Sequence, residues 1–301
     1  MEINKTAFRE KVEMKIIPGN SARGLAARIA AELGCKVASC EFKRFPDGEL
    51  YTRIIDDVKD EELVIVQSIR ADSDLICLLQ LIDAVEEAGK TKVVIPYLGY
   101  ARQDKKFKPG EAISVRAIAR SISAAGVVDT IYVVNVHNKA VLKYFDIDTK
   151  ELDASTLIGD YVAKKEIAHP IIIGPDGGAT GLAKAVATPC GFDYDVLAKK
   201  RISSEEVEIK PKELSVEGKN VVIVDDIIST GGTISEAASL LKAQKANDIY
   251  VACVHGVFVQ NAISRMLNAG VKEIIATDTI ESEFSRVSVA KMVAEELKKQ
   301  S

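Results

Sequence analysis

Two adjacent carboxylates, Asp225 and Asp226, close the apolar run 221–224; Ile227 and Ile228 follow, and then Ser229, Thr230, Gly231, Gly232 and Thr233. Small and hydroxylated residues between a strand and a helix let backbone N–H groups converge on an anion, and the positive end of the helix dipole adds to the attraction. The loop therefore suits a phosphate. The acids would repel that phosphate unless they faced something else, and vicinal hydroxyls or a magnesium ion would satisfy them. The combination points to a sugar phosphate, with Asp225 and Asp226 accepting from the diol and residues 229–233 holding the phosphate. A single Asp would serve as an ordinary helix cap; two acids before such a loop exceed what capping needs.

Other stretches carry groups of suitable type. Arg102, Gln103 and Asp104 follow an apolar run at 93–97, and the carboxyl end of a strand is where α/β proteins bind ligands. Cations beside an amide and an acid suit nucleotide phosphates, though spacing alone describes a charged surface loop equally well. Phe45, Asp47 and Glu49, interleaved with Pro46 and Gly48, form a turn by composition. An exposed Phe there could stack on a purine and the acids accept from its amino group, or the ring could fold back onto its own domain. His137 and Asp176 each follow a strand-like run, where a lone His is more often structural. Lys199, Lys200 and Arg201 open a polar ribbon running to about residue 213.

The elements that must position these groups occur twice. The strand, glycine turn and helix of 15–26 are answered by 171–183, the charged ribbon 40–55 by 194–209, and the apolar run 62–66 by 221–224. Helical patterns follow at 75–88 and 234–243. Strands at 93–97 and 131–136 close the first half, and strands at 249–254 and 273–276 the second. A helix over 153–164 bridges the halves and an amphipathic helix over 289–299 ends the chain. Strands alternating with helices predict mainly parallel sheets flanked by helices, in two tandem α/β domains, 1–153 and 154–301. Ser68 and Ile69 stand where the second copy has Asp225 and Asp226, so one copy alone carries the acids.

With 301 residues, 47% hydrophobic and 28% charged, the chain has ample material for a core, and a net charge of −4 gives no footprint for nucleic acid. No apolar run approaches a membrane span, and Glu2, Lys5, Arg9 and Glu10 are foreign to a signal peptide, so a cytoplasmic protein without a membrane partner is expected. Five scattered cysteines without a Cys-x-x-Cys pair read as reduced thiols, and three separated histidines are too few for a zinc cluster. Magnesium is the metal to expect. Gly89-Lys90-Thr91 imitates the end of a Walker motif but precedes a strand, and Asp176 breaks the dinucleotide glycine spacing after Gly174.

Residues 225–233 resemble the phosphoribosyl diphosphate loop of type I phosphoribosyltransferases and of ribose-phosphate diphosphokinases. The conjunction with 45–49, 100–104, Asp176 and 199–201 is similar to the second family over nearly the whole chain. The resemblance implies two phosphoribosyltransferase-like domains, the first serving the nucleotide and the second ribose 5-phosphate. The reaction implied passes the β,γ-diphosphoryl group of MgATP to the anomeric hydroxyl of ribose 5-phosphate. It further implies Lys199 and Arg201 as catalytic residues on a flap, Arg102, Gln103 and Asp104 on ATP, and His137 and Asp176 as magnesium contacts. Phe45, Asp47 and Glu49 would meet adenine bound to a neighbouring subunit, which requires a homodimer or larger homo-oligomer. Asn135 and Ser229 stand where the family often has Asp. A phosphoribosyltransferase, or a non-catalytic regulatory homologue, are the alternatives.

Overall fold

A computed structural model describes residues 14–201, 207–210 and 215–299, and over 198–201 and 207–210 it describes the backbone alone. The first half runs β1 (Met14–Pro18), α1 (Arg23–Leu33), β2 (Lys36–Val37), β3 (Cys40–Arg44), β4 (Leu50–Ile54), β5 (Glu62–Val66), α2 (Asp72–Asp83), β6 (Lys90–Ile95), α3 (Ser114–Ser123), β7 (Thr130–Val134) and β8 (Asp148–Leu152). The second continues with α4 (Ser155–Lys164), β9 (Pro170–Gly174), α5 (Thr180–Ala187), β10 (Asp193–Val196), β11 (Ala198–Arg201), β12 (Val207–Lys210), β13 (Asn220–Ile228) and α6 (Gly232–Ala243). It ends with β14 (Ile249–Gly256), α7 (Ala262–Asn268), β15 (Val271–Thr277), β16 (Ser285–Val287) and α8 (Ala290–Lys298).

Each half holds a six-stranded sheet of the same topology, β2-β1-β5-β6-β7-β8 and β10-β9-β13-β14-β15-β16. Within both sheets every pairing is parallel. The outer strands β2, β8, β10 and β16 and the short helix α7 escape the sequence reading, because short or charged segments carry little hydrophobic period, whereas α3, also passed over, does carry one, with Val115, Ala119 and Ile122 on its buried face. Two antiparallel hairpins, β3-β4 and β11-β12, stand apart from the sheets. The first is pinned to α2, where Thr52 Oγ1 donates to Gln80 Oε1 at 2.8 Å and Gln80 Nε2 to the Leu50 carbonyl at 2.9 Å.

Buried on both faces, the central strands need apolar residues at every position, and β-branched chains fit that pleat. Along β5 the faces alternate: Leu63 and Ile65 join an outer core with α2 and α3, while Val64 and Val66 turn inward. In β13, Val221 and Ile223 face an outer core with α6, and Val222 and Val224 turn inward. The two inward sets belong to one continuous buried cluster with α1, α4, α5 and α8, so a shared helical layer separates the sheets. Each fully buried Val or Ile there contributes on the order of 1.5–3 kcal/mol.

This alternation corrects the alignment of the two copies. Val64 pairs with Ile16 as Val222 pairs with Ile172, and Val66 pairs with Val94 as Val224 pairs with Ala252. Gln67 and Ser68, not Ser68 and Ile69, therefore occupy the places of Asp225 and Asp226; a slip of one residue would turn each side chain to the wrong face. Both residues are fully buried and already satisfied. Gln67 Oε1 accepts from the Ser21 amide at 3.1 Å while its Nε2 donates to Asn20 Oδ1 at 2.8 Å, and Ser68 Oγ donates to the Thr279 carbonyl at 2.7 Å.

The helical layer admits little variation at Gly159 of α4, where an added Cβ would lie 2.5 Å from the Val186 carbonyl oxygen of α5. Gly159→Ala should destabilise the protein by ~1–3 kcal/mol, the range for overpacking a close contact. Urea denaturation checks this, and an unchanged midpoint would mean that α4 and α5 separate freely.

Candidate functional site

Every group singled out in the sheets' sequence lies at a carboxyl strand edge, and the two edges face one another. Strand β13 does not end on the acids as expected. It continues through them to Ile228, because β14 is long enough to extend the ladder, with Asp225 opposite Cys253 and Ile228 opposite Gly256. On the other side β9 pairs no further than Ile173 with Ile223, so the acids emerge where the ladder is open on one flank.

From the opposite half, His137 follows β7 and places its Nδ1 2.7 Å from Asp226 Oδ2. The backbone leading into it is fixed by two residues. The Val136 amide donates to Glu151 Oε1 at 3.0 Å, and Asn135 (φ +38°) donates through Nδ2 to Asp153 Oδ1 at 2.9 Å while its Oδ1 accepts from the Ala154 amide at 2.7 Å. Asn tolerates this left-handed conformation better than most residues. With both ends of its amide engaged at the start of α4, Asn135 serves as a clasp. Asp104 reaches the same region, accepting from Asn138 Nδ2 at 2.6 Å.

Electrostatics follow from this crowding. Burial, then the neighbouring charges of Asp226 and Asp176, push the Asp225 carboxyl well above the ordinary range. Burial acts on Asp226 in the same direction, but the hydrogen bond and charge of His137 outweigh it and hold that carboxyl below its ordinary value. The hydrogen bond to Asp226 in turn raises the His137 imidazole despite its partial burial. A cavity of about 520 Å³ lies here, walled by Asn135, His137 and Glu151 from the first half and Gly178, Asp225 and Asp226 from the second. Asp176 borders it by sequence, capping the turn Gly177–Ala179 through the Gly178 amide at 2.8 Å.

The carbonyls of residues 229–231 are engaged by the protein itself. Ser229 O accepts from the Val259 amide at 3.0 Å, Thr230 O from Arg265 at 3.0 Å, and Gly231 O from Ser235 Oγ at 2.7 Å. Gly231 has φ +71°, and a Cβ there would meet the Ala262 carbonyl oxygen at 3.1 Å. No side chain caps α6, and Gly232 and Thr233 open its first turn, which leaves amide donors at the positive end of the dipole.

The remaining residues divide. Arg102 is exposed, and Gln103 Nε2 donates to the Lys105 carbonyl at 3.2 Å. Phe45 tops the β3-β4 hairpin, 47% exposed, with its ring edge-on to Tyr51 at 5.9 Å between centroids. Its amide donates to the Glu49 carbonyl at 2.9 Å, while the side chains of Asp47 and Glu49 face solvent. Among the described residues no hydrogen bond, ion pair or ring contact joins 45–49 to Arg102, Gln103 or Asp104 of the same chain. Lys199 and Arg201 pair with Ile209 and Val207 along the β11-β12 backbone, and their side chains lie outside the described residues. Sequence reasoning missed His255 at the end of β14, which only its place at a strand end could have flagged.

The His137–Asp226 pair makes a pH-dependent contribution. His137, raised on folding, adds stability below the ordinary imidazole value and loses it as pH climbs through the raised value; Asp226, lowered on folding, adds stability above the ordinary carboxylate value and loses it in acid. Wild type should exceed His137→Ala most between about pH 4 and 6.5, by up to ~1 kcal/mol given the half-exposed imidazole. Unfolding free energies across pH 3–9 test this, and a pH-independent difference would sink it.

Comparison with known proteins agrees with this geometry. Residues 14–126 match the family model described as the N-terminal domain of ribose phosphate pyrophosphokinase, and residues 142–288 match the phosphoribosyl transferase domain. A ribose-phosphate pyrophosphokinase of Methanosarcina acetivorans is 52% identical over 286 residues, covering 95% of this chain and 100% of that protein. Ribose-phosphate pyrophosphokinase 2 of Archaeoglobus fulgidus is 45% identical, covering 94% and 100%. The crystal structure of phosphoribosylpyrophosphate synthetase from Mycobacterium smegmatis superposes with a TM-score of 0.83 at 27% identity, covering 95% of this chain and 98% of that one. No helix among the described residues is long and apolar enough to cross a membrane.

Proposed function

Because the chain belongs to the ribose-phosphate pyrophosphokinase family, we propose that it passes the β,γ-diphosphoryl group of ATP to the anomeric hydroxyl of ribose 5-phosphate, giving 5-phosphoribosyl 1-diphosphate and AMP. The observation that carries this reading is the contact of His137 from one half with Asp226 from the other at 2.7 Å. It brings a nucleotide-type edge and a sugar-phosphate loop into one cleft. The division follows: 1–153 serves ATP and 154–301 serves ribose 5-phosphate.

The anomeric oxygen attacks the β-phosphorus in line, the bond from that phosphorus to the α,β-bridging oxygen breaks, and AMP leaves with that oxygen. Such a transfer asks for positioning and charge stabilisation more than for a strong base. Asp225 and Asp226 accept from the ribose diol, and the amides of 230–234 with the hydroxyls of Ser229, Thr230 and Thr233 receive the 5-phosphate. Arg102, Gln103 and Asp104 orient ATP, and Lys199 and Arg201 meet the charge on the transferred group.

The donors suit magnesium. Asp176 offers carboxylate oxygen close enough to Asp225 that their charges interact, and Nε2 of His137 is turned away from its bond to Asp226. Among the described residues no three His, Cys, Asp or Glu side chains form a complete cage. Magnesium fits that arrangement, since it keeps waters and takes much of its coordination from substrate phosphates. Bound with ATP, it would supply charge neutralisation across the phosphates.

AMP formation from ATP and ribose 5-phosphate in magnesium tests the reading, and turnover with a free purine base in place of ATP would favour a phosphoribosyltransferase. Asp225→Asn should raise KM for ribose 5-phosphate ~10-fold or more while KM for ATP shifts less than ~threefold. The opposite pattern would mean that the two subsites are exchanged.

The exposed Phe45 turn supports a site shared between two copies, in which Phe45, Asp47 and Glu49 of one chain close over adenine held by Arg102 and Gln103 of the other. An aromatic face and carboxylates match a purine ring and its amino group. Chains carrying Phe45→Ala with Glu49→Ala, mixed with chains carrying Lys199→Ala, should recover about a quarter of wild-type activity, because half of randomly mixed dimers keep one intact site. No recovery, with exchange confirmed by mass, would place the turn outside the partner's site.

A further inference from the structure

His255 ends β14 between the two halves and is 1% exposed. Its Nε2 lies 3.1 Å from the Asn135 carbonyl oxygen, which can only accept, so Nε2 carries the proton. Its Nδ1, left as an acceptor, lies 2.9 Å from Thr279 Oγ1. The Thr279 hydroxyl also lies 3.0 Å from the Val254 carbonyl, but that oxygen already accepts from Thr277 Oγ1 at 2.8 Å, so the single Thr279 proton is assigned to the unprotonated Nδ1. The ring also packs on Tyr97 at 5.0 Å between centroids. Burial lowers the imidazole to about 4, so it is neutral near pH 7 and both contacts are those of the neutral ring.

The partners give this residue a role beyond packing. Asn135 stands two residues before His137, in a left-handed conformation, and belongs to the first half. The chain just past His255 turns to the other subsite, where the Val257 amide donates to the Ile228 carbonyl at 3.0 Å and the Val259 amide to the Ser229 carbonyl at 3.0 Å. Thr279 also accepts, through its carbonyl, from Ser68 Oγ of the first half. His255 thus links the backbone carrying His137 directly to the backbone that supports the phosphate loop.

We propose that His255 is a positioning residue for the transfer: its Nε2–H holds the nucleotide-side edge against the sugar-phosphate edge and so sets the angle at which the two bound substrates meet. The inference rests on the assignment of ATP to the first half and ribose 5-phosphate to the second. Each substrate would still bind its own half without the imidazole, but the anomeric oxygen and the β-phosphorus would no longer be held in line, and misplacement of about 1 Å can cost ~10²-fold in rate.

Three variants test it. His255→Gln keeps an N–H donor near the position of Nε2, His255→Asn keeps an amide too short to reach Asn135, and His255→Phe keeps the bulk without a donor. With ATP, magnesium and ribose 5-phosphate, the Asn and Phe variants should lose ~30- to 100-fold in kcat with both KM values within ~threefold of wild type, and Gln should recover to within ~fivefold. A merely structural role would lower thermal stability without rescue by Gln and without separating kcat from KM. The proposal is overturned if Asn retains kcat within ~threefold of wild type, or if Gln is no better than Asn. Should Phe fail to fold by circular dichroism, the Gln and Asn pair decides alone. Wild-type protein is the control: if it forms no AMP the functional reading falls and this inference with it, whereas active wild type with indifferent variants overturns the inference only.

Discussion

The structure depends on one apolar layer. Val64, Val66, Val222 and Val224 from two sheets bury into the same set of helices, so the halves cannot turn against one another without opening a continuous core. Interiors packed at this density are stiff, and small displacements of one wall are felt at the other. A site divided between two carboxyl edges needs that stiffness. Polar links add direction to it. Arg28 of α1 meets Asp278 at 3.0 Å and Glu281 at 2.7 Å, and Glu281 also accepts from the Gly24 amide. The terminal helix α8 lies on α1, with Lys298 Nζ donating to the Glu32 carbonyl at 2.9 Å.

Within that frame the two copies of one fold have diverged through charge. At the same strand position the first half holds Gln67 and Ser68, neutral, fully buried and hydrogen-bonded, and the second holds Asp225 and Asp226 at an open edge. Neutral amides and hydroxyls can be satisfied inside a protein, so the first copy is sealed. Adjacent carboxylates resist burial, and a cation or hydroxyl pair entering the cleft, as proposed, would relieve the cost that burial and Asp226 impose on Asp225. His137 already relieves Asp226 through Oδ2, so the two carboxylates of the pair differ in how far the protein itself balances their charge.

The hairpins show the opposite design. The β3-β4 hairpin is tied to α2 through Leu50 and Thr52 and exposes Phe45 at its tip, and the β11-β12 hairpin, which carries Lys199 and Arg201, pairs outside the six-stranded sheets. Groups that must approach a substrate after it binds are better carried on such projections than on a packed strand. In the proposed transfer the rigid edges would place the reactants, and the projections would bring the remaining charge and ring.

Much of this was legible in the sequence because it rests on local chemistry. Runs such as 62–66 and 221–224, short and rich in β-branched residues, read as strands buried on both faces, the acid pair before a glycine loop can be recognised without a fold, and the repeat gives two domains of one kind. What the sequence could not decide was whatever depends on neighbours in space. The extension of β13 to Ile228 is set by the length of β14, and the equivalence of Gln67 with Asp225 is set by which face each side chain takes. The pairing of His137 with Asp226, 89 residues apart, and of His255 with the Asn135 carbonyl, 120 residues apart, exists only because the shared core brings two strand edges together. Residue types determine what chemistry is possible, whereas the distances that make it one site come from packing, which no local pattern encodes.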